Sequence, residues 1–97
     1  MKLRIPSVVQ REVRDAAEYL EAEERGLGDR FWQEFDGQVR WIELNALKPR
    51  LRPPGYRRVN FRIFTYYVAY VIRDDVVVLL AVAHGARQPE YWIDRMS

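Results

Sequence analysis

Apolar positions along this chain change period partway, and the change divides it into a helical half and a strand half. After a short extended opening at residues 2–5, Val9, Val13, Ala16, Ala17 and Leu20 recur three and four apart, while Arg11, Glu12, Arg14, Asp15, Glu18 and Glu21 fill the other side. This is the pattern of an amphipathic helix. Ser7-Val8-Val9-Gln10 has the Ser-x-x-Gln form of a capping box and predicts where that helix starts. Gly26-Leu27-Gly28 is expected to end it, because glycine accepts the left-handed conformation of a helix C-terminus, and Asp29 is expected to cap the next helix. A second stripe of Trp32, Phe35, Val39, Ile42 and Ala46 predicts a long helix closing near Leu47, so the first half is a helical hairpin. Phe31, Trp41 and Leu44 fall outside the stripe. They either complete a wide buried face or form an exposed patch awaiting a partner. Gly37 within this helix costs about 1 kcal/mol relative to alanine, so either a neighbouring backbone comes close or the helix is locally weak.

Lys48-Pro49-Arg50-Leu51-Arg52-Pro53-Pro54-Gly55 can be neither helix nor central strand, since its prolines lack N–H donors and fix φ. Beyond it the period becomes two: Val59, Phe61 and Ile63 are predicted to face one side, and Arg58, Asn60 and Arg62 the other. Thr65 to Ile72 and Val76 to Ala83 follow as two nearly continuous apolar strands, with Arg73-Asp74-Asp75 as a tight turn. Strands of that kind are covered on both faces. The helical hairpin covers one face, and the other needs a dimer mate, a protein partner or the chain's own C-terminal tail. The predicted architecture is α+β: a short N-terminal strand and a helical hairpin packed on a small, mainly antiparallel sheet, in the order β-α-α-β-β-β and as a single domain over residues 1–97.

Composition adds exclusions. With no cysteine and one histidine, a disulfide scaffold or a structural zinc site is not expected, and no cofactor or metal is implied. The apolar run Val76 to Ala83 is far short of the roughly 20 residues that span a bilayer, and Pro6 and the nearby charges replace any signal-peptide core. A cytoplasmic protein with no membrane partner is the expectation. The formal charge of +2 conceals a segregation. Residues 1–43 carry seven basic against ten acidic side chains, residues 44–73 seven against none, and residues 74–97 two against four. A basic middle third of this kind suits an acidic or polyanionic partner, or else serves as solvated arginines that discourage edge-to-edge aggregation.

Gly26-Leu27-Gly28-Asp29-Arg30-Phe31, Pro54-Gly55-Tyr56-Arg57-Arg58-Val59, Tyr66-Tyr67-Val68 and Val82-Ala83-His84-Gly85-Ala86-Arg87-Gln88-Pro89, in this order and at this length, resemble the RelE/ParE superfamily of small bacterial toxins. The resemblance covers nearly the whole chain. It implies the toxic half of a type II toxin–antitoxin pair, of the kind also described as plasmid stabilisation proteins, neutralised by an antitoxin whose C-terminal segment wraps the toxin. RelE-like members are metal-independent ribonucleases that cut messenger RNA in the ribosomal A site, whereas ParE-like members bind DNA gyrase and trap it on DNA. Tyr-Arg-Arg-Val and His-Gly-Ala-Arg-Gln-Pro are more similar to the ParE side. The resemblance therefore implies a gyrase-directed toxin, with a RelE-type endoribonuclease and a non-toxic member that keeps antitoxin binding as alternatives. Homodimer and toxin–antitoxin hetero-oligomer both stay open, as does enzymatic activity.

Metal-independent RNA cleavage needs a base, an acid and cations around the phosphate. Arg58, Arg87, Tyr91 and His84 are the catalytic candidates, and Arg57, Arg58, Arg62, Arg87 and Trp92 the candidates for contact with a target or a nucleic acid. Phe31, Trp41 and Leu44 are the candidates for antitoxin contact. Each has a structural alternative: His84 satisfying a backbone group at a turn, Arg87 pairing with Glu90 or Asp94, and Tyr91 and Trp92 anchoring the tail on the sheet.

Overall fold

A computed structural model describes residues 1–96, Glu90 by its backbone alone. Strand β1 (Lys2–Arg4) leads into helices α1 (Ser7–Glu23) and α2 (Leu27–Asn45), followed by strands β2 (Arg57–Asn60), β3 (Tyr66–Arg73) and β4 (Val76–His84). A short helix, α3 (Glu90–Ile93), and a 3-10 turn over Asp94–Met96 complete the tail. The sheet order is β1-β4-β3-β2. β3 pairs antiparallel with both β2 and β4, while β1 runs parallel to the start of β4 through Lys2↔Val76 and Arg4↔Val78. The predicted α+β architecture and element order hold.

The helix ends differ from expectation. Pro6, not Ser7, occupies the N-cap of α1, and its carbonyl accepts the N–H groups of both Val9 and Gln10. Ser7 is thereby drawn into the first turn, and the Gln10 side chain donates to Ile5 O at 2.8 Å instead of closing a capping box. Gly26 begins α2 rather than ending α1: it is the N-cap, with φ of 94°, and α1 ends at Glu23 with Glu24 extended. The Glu21 carboxylate accepts the N–H groups of Gly26 and Gly28 at 3.1 and 3.0 Å, which satisfies helix-start donors that Asp29, already inside the first turn, cannot reach as a cap. Gly28 lets the two helices approach closely, since a Cβ there would lie 2.9 Å from Ala17 O.

The strand after the loop is shorter than its alternation predicts. The Phe61 N–H donates to Tyr66 O at 2.9 Å, closing residues 61–66 into a loop, so β2 stops at Asn60 and Ile63 turns outward to 60% exposure. Glu34 on α2 accepts the N–H groups of Arg62 and Ile63, and Gln38 donates to Asn60 O at 3.1 Å, which fastens that loop to the helix.

Two apolar layers sandwich the sheet. The larger lies between the helical hairpin and the face carrying Val68, Tyr70, Val77, Leu79 and Val82. The smaller lies on the opposite face, where Tyr67, Ala69, Leu80 and Ala83 meet Tyr56 and Trp92. The second cover is therefore the chain's own tail. Trp92 is fully buried, donates Nε1–H to the Tyr67 hydroxyl at 2.9 Å and packs edge-on against Tyr56 at 4.9 Å between ring centres. Among the described residues no helix is long and apolar enough to cross a membrane.

Candidate functional site

The basic third does not form one patch. In the β2–β3 ladder Arg57 stands opposite Tyr70 and Arg58 opposite Ala69, so consecutive arginines point to opposite faces of the sheet. On the helix side, Arg57 Nε donates to Pro49 O at 2.9 Å and pins the proline-rich loop. On the tail side, Arg58 lies over the Tyr67 ring, its Cζ 4.2 Å from the centroid, and its Nε donates to Asn60 Oδ1 at 3.2 Å. Arg58 is thus held in place by a cation–π contact and a hydrogen bond from Nε.

Arg58 and Asn60 form one wall of a cavity of about 340 Å³ at the end of the sheet, which Phe64, Tyr66, Tyr67 and Gly85 also line. Gly85 ties the end of β4 to the loop, its N–H donating to Thr65 O at 2.7 Å. His84 packs edge-on against Tyr66 at 5.2 Å between ring centres, and its Nδ1 accepts the Ala86 N–H at 3.1 Å. That bond gives His84 the turn-satisfying role.

Arg87, Tyr91, Glu12 and Arg95 form a second group at the open edge of β4, which β1 leaves bare beyond Val78. Arg87 and Arg95 flank the Tyr91 ring, with Cζ atoms 4.3 and 5.5 Å from its centroid. The Tyr91 hydroxyl faces Glu12 Oε2 at 3.4 Å, and burial, with the Glu12 charge adding to it, pushes the phenol up to about 12. Arg95 bridges Glu12 Oε2 at 3.0 Å and Leu80 O at 2.9 Å, while Glu12 Oε1 accepts the Val82 N–H at 3.1 Å. One acid and one base thereby occupy backbone groups that a bare strand edge would offer to another chain. Neither Glu12 nor Arg95 was legible as important: Glu12 reads as one more residue on the polar side of α1, and only the fold brings it to the tail.

Two candidates change role. Trp92 cannot contact a target, because its indole is enclosed beneath the tail. Phe31 cannot contact an antitoxin: it is fully buried, stacked on Phe61 at 4.8 Å with Phe64 and Tyr66 at its edges. The loop closure at residues 61–66 draws these rings onto Phe31, which the helical stripe alone does not reveal. Trp41 and Leu44 are on the surface, 40% and 85% exposed. Among the described residues no group of three or more His, Asp or Glu side chains is placed to hold a metal ion.

A helical hairpin packed on a small mixed sheet, with cations dispersed over its faces, defines a compact α+β module. The model of the family described as ParE toxin of type II toxin–antitoxin system, parDE, matches residues 3–89, and the chain belongs to that family. Toxin ParE2 of Mycobacterium tuberculosis, from strains CDC 1551 / Oshkosh and ATCC 25618 / H37Rv, is 42% identical over 45 residues. That stretch covers 46% of this chain and 41% of the length of each of those relatives.

Proposed function

We propose that this chain is the toxin of a type II pair, kept inactive by a cognate antitoxin, and that it arrests growth by binding an essential target of the DNA gyrase kind rather than by cutting RNA. Support for binding over cleavage comes from the commitment of the acid–base candidates to structural tasks. Tyr91 gives its hydroxyl to Glu12 and has a phenol raised to about 12, too high for efficient proton exchange at neutral pH. His84 Nδ1 is engaged by Ala86, and Arg87 stacks on Tyr91 rather than lining the cavity beside Arg58. Where Glu12, Tyr91, Arg87 and Arg95 meet, the carboxylate and Arg95 are spent on each other and on the backbone of β4. Arg58, Arg62 and Arg87 remain as exposed or half-exposed cations suited to target contact. Trp41 and Leu44 remain as apolar surface suited to the antitoxin, and an acidic antitoxin segment complements the basic third. The pair operates in the cytoplasm, where its target resides.

Inducible expression, with and without the adjacent reading frame, tests this reading. The expected outcome is growth arrest with induction of the SOS response, relieved by the adjacent product. Harmless expression refutes the toxin reading. Arrest with A-site cleavage of messenger RNA and undisturbed DNA assigns the ribonuclease alternative instead.

A further inference from the structure

Gly37 is unexplained by anything within the chain. It stands in the middle of α2, where glycine costs about 1 kcal/mol relative to alanine. Unlike Gly28, it meets no neighbour: a Cβ built there would find nothing within 4 Å. Nor is it among the positions of positive φ, which are Gly26, Gly55, Asp74 and Asp75. The helix is thus weakened at a point where neither packing nor backbone conformation asks for glycine.

The missing side chain opens a depression. Gly37, Glu34 and Trp41 lie three and four residues apart on one face of α2 and, with Arg62 opposite, line a hollow of about 320 Å³. Glu34 and Arg62 also line an adjoining hollow of about 400 Å³ that reaches Arg30 and Ile63. The two make one groove between α2 and the 61–66 loop, with exposed apolar groups at its ends, Trp41 at 40% and Ile63 at 60% exposure. Its lining carries two cations against one carboxylate. Both Glu34 oxygens are turned to the backbone N–H groups of Arg62 and Ile63, whereas neither Arg30 nor Arg62 has an ion-pair partner among the described residues.

We infer that this groove is a docking site for an acidic segment of the antitoxin, which crosses α2 at Gly37, seats a bulky apolar side chain over the glycine and sets a carboxylate toward Arg30 and Arg62. The inference rests on the antitoxin reading above and assigns that partner a surface separate from the cavity beside Arg58. The residue type at position 37 follows: any Cβ substituent would occupy the space the partner's side chain needs, so the loss in helix stability is the condition for binding.

The test is titration of the chain with the purified product of the adjacent reading frame, with thermal unfolding of the free chain recorded in parallel. For Gly37→Leu the expected result is affinity weakened by about tenfold or more together with an unchanged or higher Tm, since leucine is the better helix former. Arg30→Glu, on the exposed first turns of α2, is expected to weaken binding severalfold and to flatten its salt dependence. Undiminished affinity in Gly37→Leu overturns the inference while leaving the antitoxin reading in place. Weaker binding with a lowered Tm assigns Gly37 a structural role, and a change confined to self-association of the free chain makes the occupant a second copy; either overturns it. A wild-type chain that does not bind the adjacent product removes both readings together.

Discussion

Trp92 heads the largest fully buried side chains of this protein, and its burial decides what the tail does. Its indole is enclosed against Tyr56 and Tyr67 and its N–H is satisfied by the Tyr67 hydroxyl, so both parts of an amphipathic ring are accommodated. Trp92→Ala should destabilise the protein by about 3–5 kcal/mol and Trp92→Phe by about 1 kcal/mol, as read by urea denaturation. A loss below about 1 kcal/mol for the alanine variant would show that the tail is not part of the cooperative unit. Two phenols provide a second check. Tyr70 donates to Ala46 O at 2.7 Å, and burial pushes it up to about 12, the same value that Tyr91 reaches. A raised folded-state value favours the neutral phenol, so this stability is fully present below the unfolded value near 10 and is lost as pH rises toward about 12. Absorbance titration should show two late-ionising tyrosines, one missing in Tyr70→Phe and one in Tyr91→Phe, with unfolding setting in above pH of about 10. A Tyr91 that titrates with the exposed phenols would contradict its contact with Glu12.

Carboxylates at the ends of long side chains join the elements. Glu21 caps the start of α2, Glu34 holds the loop after β2, and Glu12 occupies the edge of β4, each by accepting backbone N–H groups. The β3–β4 connection is made differently. Arg73 pairs with Val76, leaving a two-residue turn in which Asp74 and Asp75 have φ of 52° and 63°. This is the primed geometry that matches strand twist, and Asn-Gly fits it better than Asp-Asp. Asp74→Asn with Asp75→Gly should therefore raise stability by about 1 kcal/mol in thermal unfolding, and a destabilised double variant would mean that the two carboxylates hold the hairpin in another way. Elements were legible wherever the pattern ran long: α1 and α2 follow from helical spacing, and β3 and β4 from their continuous apolar runs. Their boundaries were not, because Pro6, Gly26 and the Phe61–Tyr66 bond act through carbonyls and loop closure that leave no periodic trace.

For the molecule as a whole, the uncovered second face of the sheet was legible as a problem, with the chain's own tail as one of three possible covers. Two apolar strands demanded a cover, and the tail supplies it through Trp92, Ile93 and Met96, with Tyr56 beside them. Of the candidate site, Arg58 is half-buried over Tyr67 and Trp41 and Leu44 are exposed, while Phe31 and Trp92 went to the core. Sequence spacing within one helix or after one strand cannot register contacts made from elsewhere in the chain. The basic third divides between faces because successive strand residues alternate, so Arg57 fastens a loop while Arg58 lies over Tyr67 on the other face. What remains outside is a set of cations and a grooved, glycine-notched helix, features suited to holding other proteins. The most direct measurement is the reaction of the purified chain with host DNA gyrase on supercoiled plasmid, run beside a translating extract carrying a labelled message. The account predicts gyrase-dependent plasmid cleavage that the adjacent gene's product abolishes, with the message intact. An unaffected gyrase together with message cut in the ribosomal A site would contradict it.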